Sequence, residues 1–185
     1  MTEIIALSGS LRRGSFNTGL LRALAEAAPA GVQVEVVTLH GIPLYDGDLE
    51  AEQGLPEAVR TLKDRIVAAD GLLIGSPEYN NGVPGVLKNA IDWLSRPASD
   101  LARVFGNRPV ALVGATPGRG GTLLAQAAWL PILRALNAHA WFGPRLVVSS
   151  AGQAFDSDGH LKDEALRAQL GPFLAGFAAF IHQGR

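Results

Sequence analysis

The sequence has no cysteine, and its charges are few and nearly balanced. Without cysteine the chain has no disulfide, thiolate zinc site, iron–sulfur cluster or cysteine nucleophile. Its 16 basic and 17 acidic residues leave a formal net charge of -1, so there is no basic excess to neutralise nucleic-acid phosphates. The four histidines are scattered, and none lies four residues from another. We therefore expect neither a nucleic-acid partner nor a metal site.

Long hydrophobic runs are also missing. No apolar stretch approaches the ~20 residues needed to span a bilayer, and residues 1–5 enter an apolar segment without the basic region of a secretory signal. We expect a soluble, cytoplasmic protein that does not bind membranes. At 185 residues and 48% hydrophobic composition the chain can form one core, so we predict one domain over residues 1–185. Small residues are abundant instead, with 22 Gly and 11 Pro.

Short apolar segments alternate along the chain with longer segments of helical periodicity. We predict strands over 4–7, 32–39, 71–75, 110–113 and 145–148. We predict helices over 18–28, 55–69, 86–94, 123–136 and 161–181, the last kinked or broken at Gly171-Pro172, and a polar loop over 40–54. Apolar strands separated by helices are typical of a parallel sheet covered on both faces. The pattern predicts an α/β fold, a three-layer α/β/α sandwich with a five-stranded parallel sheet.

Ligands of such sheets bind at the carboxyl ends of the strands, which directs attention to the following loops. The loop after the first strand contains Ser10, Arg12, Ser15 and Asn17 between two glycines, directly before a helix. Free backbone N–H groups at a helix start, together with hydroxyl, amide and guanidinium donors, form an anion site. The alternative is a plain helix cap by Ser15 or Asn17.

Two phosphate-binding motifs are excluded in this loop. A nucleotide-triphosphate loop requires lysine where Ser15 stands, and a dinucleotide-binding fold requires glycine where Leu11 stands. The dinucleotide fold also requires a carboxylate at the end of the second strand, where residues 38–40 have none. The remaining interpretation is a site for a terminal monophosphate.

The loop after the third strand is rich in proline, asparagine and glycine. Two prolines and two glycines between residues 77 and 85 predict a tight loop with a fixed main chain. Fixed N–H and C=O groups can recognise the edge of a flat heterocycle, and Tyr79 can place a ring beside it. Alternatively, Glu78 is a carboxylate at a helix start or on the surface, and Tyr79 a packed core ring.

Two motifs carry a resemblance to a known family. They are G-S-L-R-R-G-S-F-N over 9–17 and S-P-E-Y-N-N-G-V-P-G-V-L-K-N-A-I-D-W over 76–93, supported by G-Q-A-F-D-S-D-G-H-L-K-D over 152–163. The chain resembles the NADPH-dependent FMN reductase family, which includes quinone, chromate and azo-compound reductases. The resemblance implies a flavodoxin-like strand order of 2-1-3-4-5, with FMN as cofactor and NADPH or NADH as co-substrate.

The resemblance also implies the residues of the cofactor site, residue by residue. The FMN phosphate is expected at Ser10, Arg12, Ser15, the backbone of Phe16, and Asn17. The isoalloxazine ring is expected at Pro77, Glu78, Tyr79 and Asn80, with Thr116, Pro117, Gly118 and Arg119 on its other side. Arg119 is a further candidate for binding the phosphates of the nicotinamide nucleotide.

The activity implied is ping-pong transfer of two electrons, as hydride, from NAD(P)H through bound FMN to a small acceptor. Quinones, chromate, azo or nitro compounds and free flavin are candidate acceptors, and no protein residue is assigned as catalytic. A flavin-binding electron carrier that does not oxidise nicotinamide is the alternative. A hydrolase or transferase using Glu78 as nucleophile or base is a third hypothesis.

The resemblance further implies a homodimer or homotetramer with the flavin near the interface. The sequence offers Trp93 and the segment Trp129-Leu130-Pro131 as candidate contact residues between subunits, with packing in the core as the alternative for the tryptophans.

Overall fold

The computed structural model describes residues 1–184, which form a parallel sheet with helices on both faces. The strands are β1 (Thr2–Ser8), β2 (Val32–Thr38), β3 (Gly71–Gly75), β4 (Pro109–Ala115), β5 (His139–Ala140) and β6 (Leu146–Val148). All strand pairs are parallel, in the order β2-β1-β3-β4, and both β5 and β6 pair with β4. The predicted order of 2-1-3-4-5 is therefore confirmed.

The fifth position of the sheet is occupied by two short strands. β5 lies beside the start of β4 and β6 beside its end, and the connection over 141–145 leaves the sheet between them. Trp141 begins this excursion and packs its ring against Phe173 and Phe177, at centroid distances of 5.0 and 5.5 Å. The predicted strand at 145–148 corresponds to β6. The two residues of β5 are too few for any periodicity to indicate them.

The helices cover the sheet in two layers. They are α1 (Phe16–Glu26), α2 (Gly47–Gln53), α3 (Glu57–Ala68), α4 (Gly85–Leu94), α5 (Leu101–Val104), α6 (Leu123–Ala135), α7 (Ala151–Ala154) and α8 (Glu164–Gln183), with a 3₁₀ turn at Ala98–Asp100. Along β1, Ile4 and Ala6 pack with α1 and α8, whereas Ile5 and Leu7 pack with α3, α4 and α6. This alternation confirms the three-layer sandwich. Among residues 1–184 no helix is both long and apolar enough to cross a membrane.

Two predicted elements differ from the structure. The 40–54 segment contains α2, which buries none of its residues and so lacks an apolar period. It begins at the side-chain cap of Asp46. The last helix is not broken at Gly171-Pro172, because α8 continues through Pro172 and buries Leu170 and Phe173 on either side of it. Packing against the sheet outweighs the one hydrogen bond that proline removes.

Trp93 and Trp129 are core residues. Both are 0% exposed, and their indole N–H groups donate to Pro43 O at 2.9 Å and to Ser76 Oγ at 3.0 Å. The expectation that these two tryptophans contact another subunit is therefore wrong, since an amphipathic ring with a satisfied N–H packs in the interior. Leu130 remains exposed beside them.

Candidate functional site

Three loops meet at the carboxyl edge of the sheet, after β1, β3 and β4. Gly9 N–H donates to Gly75 O at 2.8 Å, and Ser76 N–H donates to Val113 O at 2.9 Å, so each loop starts bonded to its neighbour. The approach at Gly9 leaves no room for a side chain. A Cβ there would lie 2.6 Å from Leu87 Cδ2 and 2.8 Å from Pro77 Cδ. The prediction that these loops come together is confirmed.

The first loop, residues 9–15, is a compact turn leading into α1. Its Ser10 is buried and accepts the Arg12 N–H at 3.3 Å, while Ser15 N–H donates to Arg12 O at 3.1 Å. The Ser15 hydroxyl caps α1 by accepting Thr18 N–H at 3.3 Å. The cap that the sequence offered as an alternative therefore exists, and the loop remains rich in donors around it.

The guanidinium of Arg12 is held by an aromatic ring. It lies 5.2 Å from the centroid of Phe16, whose other neighbour is Phe155 at 5.9 Å. A cation over a ring face keeps its N–H donors available, because the ring accepts none of them in the plane of the guanidinium. Hydroxyl, guanidinium and helix-start N–H groups are the donors that a phosphate monoester requires, so this loop fits the phosphate end of a mononucleotide.

Asn17 connects the first loop to the end of β4. Its Nδ2 donates to Ala115 O at 2.7 Å and its Oδ1 accepts Ala115 N–H at 2.9 Å, and the side chain is 4% exposed. Both ends of the amide are therefore occupied by one backbone unit. Only the backbone N–H and the second amide hydrogen of Asn17 are left for the predicted phosphate contact.

The loop after β3 ends in a tight hairpin. Tyr79 and Gly82 exchange backbone hydrogen bonds of 3.2 and 3.0 Å across Asn80 and Asn81, whose φ angles are 50° and 62°. Two successive residues with positive φ form a type I′ turn, for which asparagine is a preferred residue. The predicted tight loop is confirmed. The Tyr79 ring is 51% exposed, so it is not a core ring.

Glu78 caps a helix that it does not belong to. Its Oε2 accepts the N–H groups of Leu124 and Ala125, both at 2.9 Å, in the first turn of α6. Thr122, the residue that precedes this helix, provides no side-chain cap of its own. The sequence offered a helix-start carboxylate as one alternative for Glu78, but it could not identify the helix, because the partners are backbone groups 46 and 47 residues away.

The loop after β4 is hydrogen-bonded near its start and buried at its end, at Gly121 and Thr122. Thr116 N–H donates to Val148 O at 2.9 Å and Thr116 O accepts Ala151 N–H at 3.0 Å, and Gly118 O accepts Ser150 N–H at 2.9 Å. Residues 117–120 are exposed. Within residues 1–184 the Arg119 side chain makes no hydrogen bond or ion pair, so a charged group is available at this margin of the edge.

A second hairpin lies behind α1 and contains an exposed polar cluster. Asp156, Asp158 and His160 place their ligand atoms within 4.8 Å of one another. Asp156 Oδ1 already accepts the N–H groups of Asp158 at 2.9 Å and His160 at 2.8 Å. The His160 N–H is the largest cause that lowers the pKa of Asp156. The hairpin packs on α1, where a Cβ on Gly19 would lie 2.6 Å from Gly159 O.

Two clefts lie elsewhere, at the side of the sheet between α6 and residues 139–145. Their volumes are about 380 and 750 Å³, and both are lined by Leu130 and Phe142, the latter 80% exposed. They follow from the departure of the chain between β5 and β6. Among residues 1–184 the three-loop edge brings phosphate donors together with a hydrogen-bonded hairpin, which makes it the candidate ligand site.

Comparison with known proteins gives a consistent result. The family model described as NADPH-dependent FMN reductase matches residues 2–153. An NAD(P)H-dependent FMN reductase of Pseudomonas aeruginosa is 42% identical over 165 residues, 89% of this chain and 87% of the relative. A 2-hydroxy-1,4-benzoquinone reductase of Burkholderia sp. is 38% identical over 99% of this chain and 98% of the relative. The flavoenzyme FerB of Paracoccus denitrificans, an NAD(P)H:(acceptor) oxidoreductase, superimposes with a TM-score of 0.87 at 32% identity, covering 100% of this chain and 99% of FerB.

Proposed function

The chain belongs to the NADPH-dependent FMN reductase family, and we propose that it transfers two electrons from NAD(P)H through bound FMN to quinones or other small acceptors in separate half-reactions. The family is one of oxidoreductases that use FMN and NAD(P)H. The observation that carries the proposal is the pairing of a donor-rich helix start at Ser10–Ser15 with the rigid hairpin at Tyr79–Gly82. The first suits the phosphate of a mononucleotide and the second the edge of its ring.

The phosphate is assigned to the loop after β1. The Ser10 and Ser15 hydroxyls, the Arg12 guanidinium and the N–H groups of Phe16 and Asn17 would hold it. All belong to the first turn of α1 or to the loop that precedes it, where the helix dipole favours a negative charge. Arg12 adds a full positive charge, and its guanidinium contacts the Phe16 ring.

The flavin ring is assigned to the space between the other two loops. Main-chain groups of Glu78 and Asn80 would bind its polar edge, while Pro77 and the exposed Tyr79 ring would lie against it, in positions set by the hairpin and the Glu78 cap. Thr116, Pro117, Gly118 and Arg119 would line its other side. In addition, Arg119 would bind phosphates of the nicotinamide nucleotide, because it is exposed and free of other partners in the part of the chain that the structure describes.

FMN, when bound, supplies the hydride chemistry, so the chain needs no nucleophile or acid–base residue of its own. Its residues bind the cofactor, orient the ring and leave one side open to donor and acceptor in turn. Glu78 is committed to a structural contact, because its Oε2 accepts two N–H groups of α6. This disfavours the hydrolase or transferase hypothesis.

Quinones are the acceptors that we propose first. Among the relatives, one is a 2-hydroxy-1,4-benzoquinone reductase and another, from Escherichia coli, is a quinone reductase 38% identical over 98% of this chain. Free flavin, chromate, azo and nitro compounds are further candidates, since an open ring face selects weakly among acceptors. We also propose a homodimer or homotetramer, in which Leu130 and Pro131 remain exposed enough to contact another subunit.

The deciding experiment is anaerobic reduction. The purified protein is reconstituted with FMN, mixed with NADPH or NADH, and followed by loss of the visible flavin absorption, then by its return on adding a quinone. Bleaching by the nucleotide and recovery with the quinone support the proposal. Parallel double-reciprocal plots of steady-state rates, with nucleotide and quinone varied, support the separate half-reactions. Bound flavin that is not bleached indicates an electron carrier, although the net charge of -1 lacks the acidity that such carriers use for docking. Failure to bind FMN would overturn the assignment altogether.

A further inference from the structure

The side chain of Glu78 is committed to α6. Both of its hydrogen bonds are 2.9 Å long and reach the second and third residues of the helix, the positions that a helix cap normally serves. A carboxylate is the strongest acceptor for these groups, because the positive end of the helix dipole adds to the hydrogen bonds. The contact therefore joins the loop after β3 to the helix that follows the loop after β4.

A second contact supports the same junction from below. Trp129, about one turn further along α6, donates its indole N–H to Ser76 Oγ at 3.0 Å, and Ser76 Oγ in turn donates to Pro77 O at 3.0 Å. Ser76 and Glu78, the residues on either side of Pro77, therefore both accept hydrogen bonds from α6. Pro77 itself is buried against Gly9. The main chain at 76–78 has a fixed position relative to both flanking loops.

We propose that Glu78 is a positioning residue, whose carboxylate holds the main chain of residues 77–80 against α6 and so keeps ready the geometry that receives the flavin ring. This inference rests on the proposed function. Its physical basis is entropic: a loop that is already ordered loses little conformational freedom when a ligand binds. Without the carboxylate, part of the binding free energy would be used to order the hairpin.

The first test needs no cofactor. In the apo protein, hydrogen–deuterium exchange at the Leu124 and Ala125 amides is expected to be slower than at Glu57 and Ala58, because α3 starts without a side-chain cap. The Glu78→Ala substitution should remove this protection and Glu78→Gln, which keeps an acceptor oxygen, should largely retain it. If wild-type Leu124 and Ala125 exchange as fast as Glu57 and Ala58, the junction is absent and the inference falls.

The second test measures the dissociation constant of FMN by quenching of its fluorescence. We expect Glu78→Ala to raise Kd about tenfold, the equivalent of about 1.4 kcal/mol, and Glu78→Gln to change it less than about threefold. Asp163→Ala is the matched control, since Asp163 caps α8 by accepting Leu166 N–H at 2.9 Å. It should lower the melting temperature while leaving the Kd of FMN within about twofold of wild type.

Three results separate the possibilities. An unchanged Kd in Glu78→Ala overturns the positioning role. An equal rise in Glu78→Gln and Glu78→Ala, with a matching change in the reduction potential of bound flavin, would mean that the negative charge acts on the flavin directly. If the wild-type protein binds no FMN, the proposed function is wrong. The contact between Glu78 and α6 is then still tested, because the exchange experiment measures it without FMN.

Discussion

Two loops at the ligand edge are both rich in proline and glycine, yet they differ in how firmly they are held. The loop over Pro77–Gly82 has a hairpin with two backbone bonds, a buried proline and a carboxylate tied to a neighbouring helix. The loop over Pro117–Gly121 is bonded through Gly118 O and by a long contact of 3.4 Å from Gly118 N–H to Thr116 Oγ1, and Arg119 and Gly120 are exposed. Both loops contain proline and glycine, but the first is tied by several hydrogen bonds and the second by few.

The difference corresponds to two tasks in the proposed function. A cofactor that stays bound gains affinity from a loop that is ordered beforehand, whereas a co-substrate that enters and leaves in every cycle needs a margin that can adapt. Proline and glycine serve both, because their effect depends on the hydrogen bonds around them. Substitutions that remove hydrogen bonds, add a methyl group or remove a charge test this difference between the two loops.

The largest effect is expected at Asn17, whose amide satisfies both backbone groups of buried Ala115. Asn17→Ala would leave a buried N–H and a buried C=O without partners, at a cost of about 2–4 kcal/mol in the free energy of unfolding. Urea denaturation at constant m-value measures it. A cost below about 1 kcal/mol would show that water or a backbone shift replaces the amide, and that the end of β4, from which the loosely held loop departs, is held less firmly than its geometry indicates.

Asn89 provides the matched control. Its side chain makes the same two kinds of bond, accepting Tyr45 N–H and donating to Pro43 O, both at 2.8 Å, but at a partly exposed position. Asn89→Ala should cost only about 1 kcal/mol, because water can reach the freed groups. Equal losses at Asn17 and Asn89 would contradict the importance of burial.

An intermediate effect is expected from a pair of glycine substitutions. Gly9→Ala would place its methyl group 2.6 Å from Leu87 Cδ2 and 2.8 Å from Pro77 Cδ on the fixed side, costing about 1–3 kcal/mol. Gly120→Ala meets no atom within 4 Å on the open side and should change stability by less than about 0.5 kcal/mol. Thermal unfolding of the two variants and the wild type measures both. A larger loss for Gly120→Ala would reverse the comparison.

The same contrast shows what the sequence can and cannot predict. The sheet could be predicted because continuous apolar segments such as Gly71–Gly75 are typical of buried parallel strands. The loops could be predicted because turn residues follow those strands. The ties by Asn17 and Glu78 were not, since each joins a side chain to backbone groups far along the chain, and backbone groups have no residue identity. α2 escaped prediction for a related reason, because a helix that buries nothing leaves no periodic signal.

The smallest effect on stability is expected at Arg119, in the loosely held loop over Pro117–Gly121. There we expect a change in KM instead. Because its side chain has no hydrogen-bond or ion-pair partner in residues 1–184, Arg119→Ala should change the free energy of unfolding by less than about 0.5 kcal/mol. If the guanidinium binds phosphates of the nicotinamide nucleotide, KM for NADPH or NADH should rise about threefold to tenfold, about 0.7–1.4 kcal/mol. Arg60→Ala, another exposed arginine whose partner is Glu57 on the surface of α3, is the control and should alter neither constant. Unchanged KM values for both nucleotides in Arg119→Ala would show that Arg119 is a solvated side chain that does not bind the nicotinamide nucleotide.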